Sequence, residues 1–284
     1  MAQKLINMKV LAPVDFSDIS KYGTTLAVKV ARELNAELHF LNVIPLPSHI
    51  LLTPEGELFE DGDFDISEQQ LKKTENVLKM KAWVEEFCSD ASSRVCFGQV
   101  NDQILDYSNK INADLIVMGT HATFGLQNLL NKSHAEYVAM HAKMPMLSVK
   151  CDRSDTQIKS VVLANSFNNT EIENSEITIA IQRAFEAKLY LLRICNPNEV
   201  QENSQFENNM REFASKNKLE NVEFATFIDA DIEDGIMRFV AEKDIDIISI
   251  GSHQRTGLNK IINGCVSADV LNHAMKPILI HPLK

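Results

Sequence analysis

The sequence predicts an α/β protein made of two tandem, doubly wound domains, each with a five-stranded parallel sheet. The first observation is an internal repeat, because the segment from Ala113 to Ser148 recurs from Ile245 to Ile280. The second is the length of 284 residues, which suits about two domains of about 140 residues each. The third is the alternation of short apolar runs with segments of helical periodicity, typical of a parallel sheet covered by helices on both faces. We therefore expect module 1 at residues 1–151 and module 2 at residues 152–284.

In module 1, the short apolar runs predict five strands and the segments of helical period predict four helices. We expect the strands at residues 9–14, 38–44, 94–97, 115–119 and 146–149. The helices between them are expected near residues 19–34, 67–87, 102–111 and 129–141. This order of strand and helix is that of a domain whose ligands lie at the carboxyl ends of the strands.

Module 2 repeats the same order of apolar runs and periodic segments. We expect its strands at residues 160–164, 189–194, 222–227, 247–251 and 278–281. Its helices are expected near residues 175–187, 203–216, 232–242 and 266–273. The polar segment 151–159 is the predicted linker between the modules.

The two modules differ most after their second strand, where module 1 has the long segment 45–66. It carries six acidic residues and no Lys or Arg, the acids being Glu55, Glu57, Glu60, Asp61, Asp63 and Asp65. We interpret it as a solvated, flexible insertion, with a lid or a partner-binding element as the alternative. A calcium site is disfavoured because the acids lack the alternating spacing of a calcium loop.

The composition limits the classes of function. The net charge of −11 is shared almost evenly between the halves, and no basic stripe opposes it, so a nucleic-acid partner is not expected. The five cysteines form no C-x-x-C pair, which indicates free thiols in a reducing compartment. No segment reaches the about 20 apolar residues that a membrane span needs. We expect a cytoplasmic protein that does not associate with membranes.

Several motifs recur in order in both modules and together carry a resemblance to a known family. They are the first-strand segment Val10-Leu-Ala-Pro-Val-Asp-Phe-Ser17, the Gly-Thr/Ser-His element that starts at Gly119 and Gly251, the helix after it, and the Lys-Met-Pro or Met-Lys-Pro turn into the last strand. By these motifs the chain resembles the universal stress protein family over essentially its whole length. The resemblance implies that the last strands of the two modules pair, which makes the chain an intramolecular pseudo-dimer and covers two sheet edges. Further association into a homodimer is left open.

Nucleotide-binding members of that family carry the pattern G-x-x-G, nine residues, then G-S or G-T, leading into a helix. Such glycines let backbone N–H groups close around phosphates, and the helix N-terminus adds donors. Module 1 keeps Gly119 and Ser133 but has Ala122 and Lys132 at the other two glycine positions. Each departure is expected to weaken binding by roughly ten- to a hundredfold. A solvated lysine at the start of a helix is the favoured interpretation of Lys132, and a point charge for a phosphate is the alternative.

Module 2 departs from the same pattern at different positions. It keeps Gly251 and Gly264 but has Gln254 in place of the second glycine and Cys265 in place of the hydroxyl residue. Neither module therefore has the complete phosphate cradle.

The aspartate that ends the first strand contacts the adenine and ribose end of the nucleotide in the family, and Asp15 occupies that position. Its counterpart in module 2 is Asn165 or Ser166, depending on whether Phe16 is aligned with Phe167. Either alignment leaves module 2 without the carboxylate. Capping of the first helix is a second role for Asp15, compatible with the first.

The resemblance implies a weak or degraded adenine-nucleotide site in module 1, for ATP or AMP, with no metal beyond Mg²⁺ that accompanies the nucleotide. In it, Asp15 orients the base or ribose, Val43 lines the adenine pocket, and Gly119 and Ser133 hold ribose and phosphates. The full set of expected contact residues is Pro13, Val14, Asp15, Val43, Gly119, His121, Gly125, Lys132 and Ser133.

We expect a stress-response protein that acts by binding and not by turnover, with module 2 structural or in contact with an unknown protein partner. One alternative is a slow ATP-hydrolysing switch, in which His121 or Lys132 assists and the acidic segment closes over the site. Another is an interaction scaffold without a nucleotide. The chain contains no G-x-S-x-G elbow, no Walker sequence and no G-x-G-x-x-G after its first strand, which disfavours hydrolases, P-loop NTPases and dehydrogenases.

Overall fold

The chain folds as a sheet with helices on both faces. The computed structural model describes residues 7–46, 66–120, 133–169, 175–197, 203–253 and 274–283, together with residues 53, 56, 58, 172 and 270. Within these residues there are ten strands in one sheet and seven helices. The predicted α/β class with tandem doubly wound modules is confirmed.

Module 1 contributes five strands and four helices to the described residues. They are β1 Lys9–Pro13, α1 Asp18–Glu33, β2 Glu37–Ile44, α2 Ser67–Phe87, β3 Ser92–Phe97, α3 Val100–Ile111, β4 Leu115–Gly119, α4 His134–His141 and β5 Met146–Val149. Helix α4 begins at His134 because Ser133 is its N-cap. Residues 129–132 of the predicted helix lie outside the described residues, as does most of segment 45–66.

In module 2 the first seven described elements follow the same succession, and one further strand ends the described residues. These elements are β6 Ser160–Ala164, α5 Glu176–Ala184, β7 Lys188–Cys195, α6 Asn203–Lys216, β8 Val222–Ile228, α7 Ile232–Lys243, β9 Ile247–His253 and β10 Ile278–Leu283. Helix α5 ends earlier than the sequence predicts because Glu186 takes a left-handed backbone, with φ at 51°. The helix predicted near residues 266–273 lies outside the described residues, except for residue 270.

The strands are ordered β3-β2-β1-β4-β5-β10-β9-β6-β7-β8. Each module is parallel within itself, and the two halves join through antiparallel pairing of β5 with β10, in which Leu147 lies opposite Leu279. The predicted pairing of the two last strands is thus confirmed, and the pseudo-dimer is built within one chain. The joint leaves neither β5 nor β10 as an open sheet edge. The boundary between modules at residues 151 and 152 stays a prediction.

Two apolar layers cover the sheet, and each layer runs through both modules. One contains Val117 and Leu147 with side chains from α1, α2, α5 and α6. The other contains Ile116 and Met146 with side chains from α3, α4 and α7. Successive residues of a strand point to opposite faces, so these neighbours on β4 and β5 enter different layers. The helices are therefore split between the faces as a doubly wound fold requires.

Two expectations from composition also concern the described residues. The cysteines found there are free thiols, namely Cys88, Cys96, Cys151 and Cys195. Among the helices that the structure describes, none combines the length and the apolar character that crossing a bilayer would take.

His39 is a buried histidine on β2 of module 1, with 8% of its surface exposed. Its Nε2 lies 3.6 Å from the carboxylate of Glu37, beyond hydrogen-bond length, and neither ring nitrogen has a hydrogen-bond partner in the described chain. Burial lowers the pKa of His39 below its ordinary value, although the Glu37 carboxylate opposes this shift. The structurally matched residue on β7 is Tyr190.

We expect His39→Tyr to reduce the acid sensitivity of the fold. The unfolded histidine takes up a proton at about pH 6.5, whereas the folded, depressed group resists it, so stability is complete above that pH and is lost as the pH falls. The unfolding equilibrium constant is expected to rise by at most tenfold per pH unit from this one group. Urea denaturation at pH 7.5 and 5.0 checks this, and an unchanged difference between the two pH values in the variant would contradict it.

Candidate functional site

The candidate site lies at the carboxyl ends of β2, β1 and β4, which are neighbours in the sheet. Val43 is near the end of β2, Asp15 follows β1, and Gly119 ends β4. The helix after β1 packs on one face of the sheet and the helix after β4 packs on the other. In doubly wound domains, ligands bind in the crevice that such a divergence of helices forms at the carboxyl edge of the sheet.

Asp15 is exposed at this edge and is held by the first turn of α1. Its Oδ1 accepts hydrogen bonds from Ser17 N at 3.0 Å and from Ser17 Oγ at 2.6 Å. Ser17 is the N-cap of the helix, because its hydroxyl accepts from Ser20 N at 3.1 Å. The capping role considered for Asp15 therefore belongs to Ser17, and Asp15 orients that cap. The Oδ2 atom of Asp15 accepts no hydrogen bond from the described residues, which leaves it for a ligand.

An aromatic contact fixes the loop that carries Asp15. Phe16 has a left-handed backbone with φ at 66°. Its ring packs edge-on against Trp83 of α2, with the two ring centroids 5.7 Å apart. The indole Nε1 of Trp83 donates to Thr24 Oγ1 at 3.2 Å. A left-handed non-glycine residue costs roughly 1 to 2 kcal/mol, which this packing offsets. Trp83 is the single tryptophan of the chain, so its fluorescence reports on the Asp15 loop.

Hydrogen bonds through the side chains of two asparagines hold the end of β1. Val14 donates its N–H to Leu41 O at 2.8 Å, and its carbonyl accepts from Asn42 Nδ2 at 2.8 Å. Asn76 of α2 in turn donates to Asn42 Oδ1 at 2.9 Å. Val14 is thus buried with both backbone groups used, whereas Val43, one residue beyond Asn42, stays half-exposed at the crevice. The role of Asn42 was not predicted from the sequence. A polar residue inside an otherwise apolar strand could have indicated it.

Gly119 has a steric role that its place in the phosphate motif does not predict. A Cβ on Gly119 would lie 1.9 Å from the carbonyl oxygen of Ile19, and a Cβ on Gly23 of α1 would lie 2.3 Å from Gly119 N. The helix and the strand therefore touch through two glycines. This contact brings the start of α1, and with it Asp15, close to the end of β4.

Ser133 lies at the N-terminus of α4, where its Oγ accepts from Glu136 N at 3.1 Å. The spacing Ser-x-x-Glu is the sequence signature of a capping box. The Ser133 hydroxyl hydrogen has no acceptor among the described residues and could be donated to a phosphate, and the helix N-terminus adds backbone donors. His121, Gly125 and Lys132 lie outside the described residues. Asp15, Val43 and Gly119 are therefore brought to one edge, with Ser133 at the start of the helix that follows β4.

The loop after β6 in module 2 can now be aligned with the loop after β1. Strand β6 pairs with β9 in the register in which β1 pairs with β4, and Phe16 and Phe167 are both left-handed, with φ at 66° and 52°. The counterpart of Asp15 is therefore Ser166. Asn165 lies one position earlier, and its Oδ1 accepts from Phe167 N at 2.8 Å. The carboxylate of module 1 has no equivalent here.

The wall of the crevice also differs between the modules. Arg193 of β7 stands at the position of Asn42, with 6% of its surface exposed. Its guanidinium stacks on Phe206 of α6 at 3.6 Å. Module 2 thus has the neutral Ser166 in place of Asp15. It also has the cationic Arg193 in place of the neutral Asn42. The two crevices do not present the same chemistry.

Comparison with known proteins gives the family and the fold of the chain. The family model described as Universal stress protein family matches residues 7–150 and 175–282. The universal stress protein MJ0531 of Methanocaldococcus jannaschii is 31% identical over 144 residues, which cover 50% of this chain and 81% of that protein. The universal stress protein YxiE of Bacillus subtilis is 27% identical over 156 residues, which cover 50% of this chain and 98% of that protein. A crystal structure of a universal stress protein from Archaeoglobus fulgidus has the same fold, with a TM-score of 0.74, 19% identity and coverage of 96% of both chains.

Proposed function

The chain belongs to the universal stress protein family, and from that premise we propose that module 1 binds an adenine nucleotide weakly and without turnover, as part of a stress response. The observation that carries the proposal is the carboxylate of Asp15 at the crevice. One of its oxygens is fixed by Ser17 and the other has no donor among the described residues. A carboxylate held in this way accepts hydrogen bonds from ribose hydroxyls or from an exocyclic amine.

The other described residues of the crevice suit the remaining parts of a nucleotide. The half-exposed Val43 offers an apolar surface to the base. Ser133 and the N-terminus of α4 offer a hydroxyl and backbone donors to a phosphate. Because Ala122 and Lys132 replace two glycines of the cradle, the phosphates contribute little, so ATP and AMP bind with similar and modest affinity.

Module 2 has a structural or partner-binding role in this proposal. Ser166 supplies no carboxylate, and Arg193 introduces a buried cation beside the matched loop. A site that recognises a ribose through a carboxylate is not reproduced there. One nucleotide per chain follows from this difference.

Titration calorimetry of ATP and AMP, each with Mg²⁺, tests the proposal on three forms of the full chain. Asp15→Asn keeps an oxygen for the Ser17 bonds and removes the charge, so we expect at least about tenfold weaker binding than in the unchanged chain. Asp152→Asn is the matched control, because Asp152 makes the same bond to the residue two positions on, Ser154 N at 2.8 Å, in the linker. We expect the control to bind as the unchanged chain does, with one site per chain and a change in Trp83 fluorescence.

Three outcomes would count against this function. Absence of heat at millimolar nucleotide would favour an interaction scaffold. Equal binding by Asp15→Asn and Asp152→Asn would place the ligand elsewhere. Phosphate release above background would favour the slow hydrolytic switch over a pure binding role.

A further inference from the structure

The ten-stranded sheet ends at β8 on the side of module 2 and at β3 on the side of module 1. Within the described residues, neither strand has a neighbour on its outer side. Such an outer strand presents a row of N–H and C=O groups that can pair with another strand, and proteins commonly protect it with lysine or proline. β8 is seven residues long and contains neither of them. This edge of the sheet therefore lacks the usual protection.

The hydrogen bonds at the two ends of β8 show which of its backbone groups face outward. Leu189 N donates to Asn221 O at 2.9 Å, and Asp229 N donates to Cys195 O at 3.0 Å. Along a strand, the backbone groups of successive residues point alternately to its two sides. The odd-numbered residues of β8 therefore bond to β7. The even-numbered residues direct their N–H and C=O groups away from the sheet, and these are Val222, Phe224, Thr226 and Ile228.

Exposed apolar side chains lie at the same edge. Ile228 at the end of β8 and Ile232 at the start of α7 each have 52% of their surface exposed. The edge at β3 differs, because it carries Arg94 and none of the large apolar residues found exposed in the described part of the chain lies on it. Of the two outer strands, β8 is therefore the better suited to association.

β8 is complementary to a second copy of itself in an antiparallel pair. A two-fold axis at Ala225 places Phe224 opposite Thr226 of the partner subunit, and Val222 opposite Ile228 of the partner subunit. These are the residues whose backbone groups face outward, so each such pair exchanges both of its hydrogen bonds. The exposed Ile228 is covered by an apolar side chain in this arrangement.

Other registers are less favourable. An axis at Thr226 places Glu223 opposite Asp229 of the partner subunit, and like charges directly opposite each other are destabilising. An axis at Phe224 leaves Ile228 beyond the start of the partner strand. An axis between two residues sets outward-facing groups against inward-facing ones, so no ladder of hydrogen bonds forms.

The charges at the two ends of β8 also favour the antiparallel pair. Near its amino end, Glu223 lies 2.6 Å from Lys188 and 3.9 Å from Lys243, so this cluster has a net positive charge. Beyond its carboxyl end, Asp231 and Asp234 at the N-terminus of α7 are exposed. Antiparallel pairing brings each amino end towards the carboxyl end of the partner strand, where charges of opposite sign guide the encounter.

We propose that two copies of the chain associate through antiparallel pairing of β8, with the two-fold axis at Ala225. The sheet then continues from one chain into the next, just as β5 and β10 join the two modules within a chain. A single pair of strands lies at the low end of specific interfaces in area, so the dimer is weak and depends on concentration. The crevice of module 1 lies in the other half of the sheet and stays open, so the association does not depend on a nucleotide.

Sedimentation velocity of the full chain from about 1 μM to about 1 mM tests the proposal, and we expect a monomer–dimer equilibrium. Thr226→Pro removes an outward-facing N–H and keeps the bonds of β8 to β7. Because symmetry applies this change twice, the dissociation constant is expected to rise by at least about tenfold. Ser93→Pro is the matched control on β3, because Ser93 is also exposed with an outward-facing N–H. We expect it to dimerise as the unchanged chain does.

Ala225→Cys tests the register by itself and does not depend on the folding of a proline variant. At the axis the two copies of residue 225 form a pair without hydrogen bonds, with Cα atoms about 4.5 Å apart, which a disulfide can span. We expect mild oxidation to link Ala225→Cys chains in pairs. Thr226→Cys is the control, since residue 226 is offset from its own copy, and the unchanged chain controls for the native cysteines.

Three results would overturn the proposal. A monomer at every concentration would leave the edge of β8 to a partner of another kind. Equal weakening of the dimer by Thr226→Pro and Ser93→Pro would show that proline acts on the fold and not on the interface. Linking of Ala225→Cys no faster than that of Thr226→Cys would place the association at another surface.

Discussion

Gly23→Ala is expected to destabilise the chain by roughly 3 kcal/mol, because the added Cβ meets backbone that no side-chain rotation can move. It would lie 2.3 Å from Gly119 N and 3.0 Å from the carbonyl carbon of Met118. Gly119→Ala is expected to cost at least as much, since its Cβ would lie 1.9 Å from Ile19 O. Urea denaturation of the ligand-free chain, with the two variants beside the unchanged protein, measures both effects.

Gly235→Ala is the control for a glycine inside a helix. A Cβ there would meet Ile194 Cγ2 at 2.8 Å and Asp229 Cβ at 2.9 Å, which are closer than ordinary contacts but longer than the 2.3 Å contact at Gly23. Alanine also favours a helix over glycine by about 1 kcal/mol, so the net destabilisation is expected to be smaller than that of Gly23→Ala. A Gly23→Ala variant as stable as Gly235→Ala would show that α1 can move away from β4, and the close contact would then have no energetic importance.

There are two separate reasons for a glycine at position 119. One is the predicted contact with a phosphate, and the other is the close approach of α1 at Gly23. The family resemblance predicts Gly119, the last residue of β4, as a phosphate contact. The structure adds that any side chain at this position would strike α1 in the absence of a ligand. Loss of nucleotide binding in Gly119→Ala would therefore reflect a displaced helix as well as a damaged cradle. Asp15→Asn is the cleaner probe of the site.

The fold was predictable because its signals are local or repeated. The repeat implies two similar modules, and short apolar runs between periodic segments mark strands such as β4 Leu115–Gly119. The pairing of β5 with β10 followed from the family resemblance, since nothing in either strand's own sequence specifies its partner. The end of α5 was predicted too late because Glu186 is not a residue type that signals a left-handed helix stop.

The candidate site was predictable only in part, because the remainder depends on register and on distant contacts. Sequence left Asn165 and Ser166 as equal counterparts of Asp15, and only the strand register with the left-handed Phe167 decides between them. Asn42 looks like an interruption of an apolar strand until its bonds to Val14 and Asn76 are seen.

The buried hydrogen bonds among Thr178, Ser249 and His281 of module 2 are still harder to predict from sequence. His281 lies 103 positions from Thr178 and 32 from Ser249 along the chain. Each residue by itself is an ordinary polar substitution in an apolar segment. Their shared location appears only when three elements are placed in space.

The second large effect is expected at the joint between the modules. Leu147 of β5 and Leu279 of β10 lie directly opposite each other and are fully buried. Truncation of either to alanine is expected to cost roughly 3 kcal/mol, from lost apolar burial and the cavity left behind. Because directly opposite side chains share that cavity, the double variant is expected to differ from the sum of the two single effects by at least about 0.5 kcal/mol.

Leu191→Ala supplies the comparison for this coupling. Leu191 is also fully buried, but it lies on β7, three strands away from β10 in the sheet. Its effect is expected to add to that of Leu279→Ala within about 0.5 kcal/mol, since adjacent strands are about 4.8 Å apart and three such spacings separate the two sites. Denaturation of the single and paired variants measures both couplings. Additivity in both pairs would mean that Leu147 and Leu279 are stabilised separately, each by its own module. Coupling in the joint pair alone would mean that the two modules stabilise each other through the strands that connect them.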